Sequence, residues 1–135
     1  MRILLLADIH GNWPALQAIQ EPHDLCLCLG DLVDYALEPQ PCVDWVREHC
    51  SHGVRGNHDH AAAQDVPESG KTGFKYLSAV TRPLTRQRLS ADGLSYLARL
   101  PLTKYCRCQE DHENDGDQCC PPEPGEKAKN AERRR

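Results

Sequence analysis

Three short stretches of this 135-residue chain hold side chains that could do chemistry together: Asp8, His10, Gly11 and Asn12; Gly30 and Asp31; and Gly56, Asn57, His58 and Asp59. They recur about 20–25 residues apart and bring carboxylates, imidazoles and an amide. Carboxylate oxygen, amide oxygen and imidazole nitrogen suit hard to borderline divalent cations such as Mn, Fe or Zn. The glycines among them permit tight turns and a close approach of backbone to a bound group. Taken singly, each piece has a plain structural reading, since an Asp after a strand is commonly a turn former or helix cap. Their joint occurrence, each after a predicted strand, is what points to a site.

The elements that must position them follow from the hydrophobic pattern. Residues 2–7 and 24–29 are continuous apolar runs of strand length, as expected of strands buried on both faces. Residues 12–20 read as a helix capped by Asn12, with Pro14 in the first turn and Trp13, Leu16 and Ile19 along one stripe. Residues 41–50 form a second amphipathic helix through Cys42, Trp45, Val46 and His49, and a short third strand runs through about 53–55. A loop spans 64–71. Two further helices span 72–81 and 90–100, the latter capped by Ser90 and ended by Pro101. Strands alternating with helices imply right-handed crossovers and a mainly parallel α/β sheet. The three polar stretches then lie at the carboxyl ends of the strands, on the rim where such sheets bind ligands.

With these elements in place, D-x-H (Asp8, His10), GDLVDY (Gly30 to Tyr35) and GNHD (Gly56 to Asp59) resemble the calcineurin-like metallophosphoesterases, in particular the small prokaryotic phosphatases and phosphodiesterases. The resemblance covers residues 1 to about 105. It implies the N-terminal β-α-β-α-β part of a four-layer α/β/β/α sandwich, followed by helices, with the C-terminal half absent. It also implies two divalent metal ions (Mn, Fe or Zn) and hydrolysis of phosphate mono- or diesters. Carried over by position, Asp8 and His10 bind the first metal and Asp31 bridges both. Asn57 binds the second and contacts substrate phosphate with His58, which serves the leaving group while Asp59 orients its imidazole. Relatives often carry Gly at the position of Ala36; were that turn to need positive φ, Ala36 would strain it by about 1 kcal/mol. The family's later His-Gly and G-H-x-H motifs have no counterpart here, since His112 lies in an acidic stretch, so the resemblance would leave both metals under-ligated, the second most severely. The alternative is a non-catalytic remnant or metal-binding module of the same family.

Composition sets the remaining expectations. Sixteen basic against 20 acidic residues give a net charge of −4, which opposes nucleic-acid binding through phosphate contacts. No apolar run approaches the roughly 18 residues of a membrane span, and no signal-peptide pattern opens the chain, so a cytoplasmic location is expected. Residues 106–135 contain no Val, Ile, Leu, Met, Phe, Trp or Tyr, so they divide off as a disordered polar tail carrying Cys106, Cys108, Cys119 and Cys120. A shifted reading frame would also produce such a seam. Cys26, Cys28, Cys42 and Cys50 lie in apolar or amphipathic runs and read as buried thiols rather than a disulfide framework.

Several other residues have plain readings. His60 is expected on a solvated turn, and Asp34 is expected to hydrogen-bond the Asp31 loop. Trp13 and Trp45 are expected to pack in the core, and Arg82, Arg86, Arg88 and Arg99 to lie on solvated helix faces. The expected substrate is a phosphorylated small molecule, nucleotide or protein, and an unpaired apolar sheet is expected to drive self-association.

Overall fold

Each apolar run forms its strand, and each amphipathic stretch between two strands forms its helix. In the computed structural model, which describes residues 1–106, the order is β1 (Ile3–Leu6), α1 (Trp13–Gln17), β2 (Leu25–Cys28), α2 (Pro39–His49), β3 (His52–Gly53), α3 (Asn57–Ala63), α4 (Gly73–Arg88) and α5 (Ala91–Arg99). The strands make one parallel sheet in the order β1-β2-β3, with Leu4 opposite Cys26, Leu6 opposite Cys28 and Cys28 opposite Gly53. Residues Met1–Lys104 form one compact unit. The expected tail lies outside the described residues, apart from its exposed first member Cys106. Among the described residues no helix is long and apolar enough to cross a membrane.

The two faces of the sheet differ. Leu6, Cys26 and Cys28 are buried against Leu16 of α1, Cys42, Val43 and Val46 of α2, Ala62 of α3 and Leu97 of α5. Trp13 and Trp45 are half-buried and pack against this core, as their helix positions led us to expect. The opposite face is open: Ile3 is 43% exposed, Leu5 58% and Leu29 52%. The expectation of strands buried on both faces is therefore corrected, because the buried apolar residues of α1, α2, α3 and α5 pack on the Cys26–Cys28 side, while Phe74, Leu77 and Val80 of α4 are exposed. A continuous apolar run shows that a strand can be covered on both faces; it does not supply the second cover.

Local chemistry explains the boundaries. Asn12 caps α1 by accepting from the Ala15 amide at 3.3 Å, and Ser90 caps α5 by accepting from Gly93 at 2.9 Å. The third strand is shorter than expected, at His52–Gly53, and the chain re-enters a helix at Asn57 that the hydrophobic pattern does not predict. His60 accordingly sits exposed on α3 rather than on a turn. Helix α4 runs on through Pro83 to Arg88, past the end at Thr81 that the hydrophobic pattern predicts. Its Arg82, Arg86 and Arg88 bond to Asp34, to the Ala62 carbonyl and to the Leu37 carbonyl, so contacts to three separate segments offset the helix bond that proline removes.

A candidate metal and phosphoester site at the strand ends

The loops leaving β1 and β2 are zipped together by backbone bonds. The amides of Asp8, His10 and Gly11 donate to the carbonyls of Gly30, Asp31 and Leu32 at 3.2, 2.9 and 2.7 Å, and Ala36 donates back to His10 at 3.0 Å. This register forces unusual backbone: Asp8, His10, Asp31, Asp34 and Tyr35 all have positive φ, between 49° and 71°. Left-handed backbone costs a non-glycine residue about 1 kcal/mol or more. Five such residues in two facing loops mark a place where side-chain direction is held against local preference. Ala36 is not among them, so the strain expected of it falls instead on Asp34 and Tyr35.

Glycines let the third loop close in. A Cβ on Gly30 would meet the Gly56 amide nitrogen at 2.4 Å, and one on Gly56 would meet Asp31 Oδ1 at 2.2 Å. The Asp31 carboxylate thus rests where the Gly56 side chain would be, and accepts from the His58 amide at 2.8 Å.

His10, Asp31 and His58 converge, with one ligand atom from each lying within 4.8 Å of the others. Both imidazoles are held in a state suited to ligation or proton transfer. His10 Nδ1–H donates to the Val33 carbonyl at 2.9 Å, which leaves the Nε2 lone pair free, 3.4 Å from Asp8 Oδ1. His58 Nδ1–H donates to Asp34 Oδ2 at 2.9 Å, and its Nε2 faces the Tyr35 hydroxyl at 3.3 Å. The rings of His10 and His58 meet edge-on with centroids 4.9 Å apart. Asp8 itself is largely exposed beside His10, and Asn57 is exposed at the start of α3 next to His58.

Two carboxylates exchange the roles expected of them. Asp59 does not orient His58. Its Oδ2 accepts from the Asp31 and Gly56 amides at 2.9 and 3.0 Å, and its Oδ1 from the Leu32 amide at 2.8 Å. It is fully buried, and it ties the β2 exit loop to the first turn of α3. Burial pushes its carboxyl up from the ordinary value, while the bonds from Gly56 and Leu32 pull the other way. Asp34, expected to serve the Asp31 loop, instead holds the His58 imidazole. It is in turn held by Arg82, whose Nε and Nη2 donate to Oδ2 at 3.0 and 2.7 Å. Arg82 is therefore a buried ion-pair partner rather than a solvated helix residue.

Sequence reading missed Tyr35. Its ring lies 4.5 Å from His10 and 4.9 Å from His58, centroid to centroid, and its hydroxyl accepts from Ser78 at 3.4 Å. Its place directly after the second Asp of GDLVDY was the available signal.

Comparison with known proteins agrees with this geometry. The sequence profile of the calcineurin-like phosphoesterases matches residues 1–115. The chain belongs to that family. An uncharacterized protein of Methanocaldococcus jannaschii is 31% identical over 110 residues, 74% of this chain and 42% of that protein. Among solved structures, a metallophosphoesterase from Sphaerobacter thermophilus is 34% identical with a TM-score of 0.61, over 75% of this chain and 42% of its own. A structure described provisionally as a diadenosine tetraphosphatase is 28% identical with a TM-score of 0.52, over 74% of this chain and 43% of its own. This calcineurin-like phosphoesterase chain thus spans about two fifths of the length of these relatives, and matches their N-terminal part. Membership of the family implies divalent metal ions, and the His10–Asp31–His58 cluster is a place that could hold one.

Proposed function

We propose that this chain supplies the N-terminal half of a metal-dependent phosphoesterase centre that hydrolyses a phosphate mono- or diester. The observation that carries the reading is the convergence of His10, Asp31 and His58 at the strand ends, with both Nδ1 atoms committed elsewhere. The donor set fits a divalent ion: the His10 imidazole and the Asp31 carboxylate, with Asp8 beside His10 and Asp31 seated where Gly56 lacks a side chain. In this proposal Asp8 and His10 would hold a first ion, Asp31 would serve both ions, and Asn57 would hold the second and meet the substrate phosphate. Two such ions, Mn, Fe or Zn, would supply charge stabilisation for phosphoryl transfer and lower the pKa of a water.

The protein groups have distinct tasks. His58 donates its Nδ1–H in a hydrogen bond to Asp34, which directs its Nε2 toward the cluster, where, once protonated, it serves the leaving group. Asp34 and Arg82 position His58, and Asp59 positions the loop that carries Asp31. The substrate is a phosphorylated small molecule, nucleotide or protein. The provisional diadenosine tetraphosphatase among the neighbours favours the nucleotide. The setting in this proposal is cytoplasmic, and the open sheet face supports self-association.

Purified chain assayed with manganese and bis-p-nitrophenyl phosphate should turn over faster than its Asp31→Asn variant. Equal rates would remove the enzymatic reading. A second reading, a metal-binding module without catalysis, is favoured by the single three-residue cluster among the described residues. Metal content separates the two: about two ions per chain for the enzyme, and one or fewer for the module.

A further inference from the structure

On the helix-covered side of the sheet, away from the strand-end cluster, two thiols meet. Cys26 Sγ of β2 lies 3.1 Å from Cys50 Sγ, the residue that ends α2. The backbone already brings the two segments together, since the Ser51 amide donates to the Cys26 carbonyl at 2.9 Å. Cys26 is buried and Cys50 half-buried, so one sulfur of the pair is within reach of solvent and the other is protected behind it. A disulfide bond is about 2.05 Å long, so the sulfurs need to close by roughly 1 Å from where they stand.

We propose that Cys26 and Cys50 form a reversible disulfide, a modification site that pins the end of α2 to the central strand. The oxidant is a low-molecular-weight disulfide. Burial and the Cys26 thiol hold the Cys50 thiol well above its ordinary value, so the exchange is run at alkaline pH, where the Cys50 thiolate attacks the oxidant, forming a mixed disulfide and releasing one thiol. The Cys26 thiolate then attacks Cys50 Sγ, forming the protein disulfide and releasing the second thiol. Two protein thiols are oxidised, one external disulfide is reduced to two thiols, and the protons lost from Cys50 and Cys26 end on the released thiols. The cross-link would join the strand that leads to Asp31 with the segment that leads to Asn57 and His58.

Two neighbouring thiols make the pairing specific enough to test. Cys28 follows Cys26 on the same face of β2, and Cys42 lies within the core on α2; both are buried. The full chain carrying Cys106→Ser, Cys108→Ser, Cys119→Ser and Cys120→Ser, which leaves Cys26, Cys28, Cys42 and Cys50, should be equilibrated with glutathione disulfide. After alkylation in denaturant, peptide mapping should show Cys26 joined to Cys50, with Cys28 and Cys42 alkylated. Closing this loop should raise Tm on the order of 10 °C, reversibly on adding dithiothreitol. Adding Cys50→Ser, or Cys26→Ala should the first variant not fold, should remove both the cross-link and the rise in Tm. Four fully alkylated cysteines would overturn the proposal. So would a bridge through Cys28 or Cys42, a mixed disulfide that persists on Cys50, or a cross-link that lowers Tm.

Discussion

Arg82 donates two hydrogen bonds to Asp34, both to the Oδ2 atom that also receives the Nδ1–H of His58. One buried oxygen thus joins helix α4 to the imidazole proposed to serve the leaving group. Asp34 is 0% exposed and Arg82 7%, so the pair is shielded from solvent and from salt.

Removing one partner of a buried pair leaves the other charge uncompensated, typically at a cost of about 3–5 kcal/mol. Arg82→Met should therefore lower unfolding free energy by about 3 kcal/mol in urea titrations. Adding Asp34→Asn should cost less than the sum of the two single changes, by roughly 1–3 kcal/mol. Arg82→Lys should not restore stability, because an ammonium cannot reproduce the planar fork that meets Oδ2 twice. Additive effects in the double variant would show that the two groups do not interact.

Gly56 decides where Asp31 sits. A methyl group there would stand 2.2 Å from Asp31 Oδ1 and 2.3 Å from its amide nitrogen, so the loop must shift. Gly56→Ala should weaken manganese binding at least about tenfold by calorimetry, a displacement of the order seen when ligand-supporting contacts are lost. Gly53→Ala, whose Cβ would meet its nearest neighbour at 3.4 Å, should leave binding within about twofold.

Burial raises the thiols of Cys28, to about 11, and Cys42, to about 12, from an ordinary 9.0. The unfolded chain therefore releases these protons first as pH rises. Stability is fully present below about pH 9 and is lost progressively from there towards pH 12, at about 1.4 kcal/mol per pH unit for each ionising thiol. Urea midpoints measured under reducing conditions from pH 8 to 11 should fall, and should fall less in Cys28→Ala. Neither thiol should react with a thiol reagent at pH 8 until the chain unfolds.

The face bearing Ile3, Leu5 and Leu29 is apolar and uncovered among the described residues. The full chain should elute on size-exclusion chromatography at a concentration-dependent size above that of a monomer. Ile3→Lys combined with Leu5→Lys should shift it to the monomer position without lowering Tm by more than about 2 °C, because both side chains already face solvent. A wild-type monomer at all concentrations would refute the association.

The sequence by itself determined the order β-α-β-α-β, the caps at Asn12 and Ser90, and the placing of each polar stretch after a strand. These follow from hydrophobic period and local hydrogen-bonding chemistry, which act over a few residues. It also held the three motifs that join the chain to its family. Only the tertiary structure decided which aspartate serves His58. Asp59 is next to it in sequence, but the first turn of α3 directs that carboxylate to the amides of Gly56, Asp31 and Leu32, and Asp34 reaches the imidazole from another loop. The same holds for Arg82, drawn inward by a partner 48 residues away, and for β1, whose apolar run lies half uncovered. Composition states what a side chain could bury or pair with; the direction of the backbone and the presence of a second surface decide whether it does.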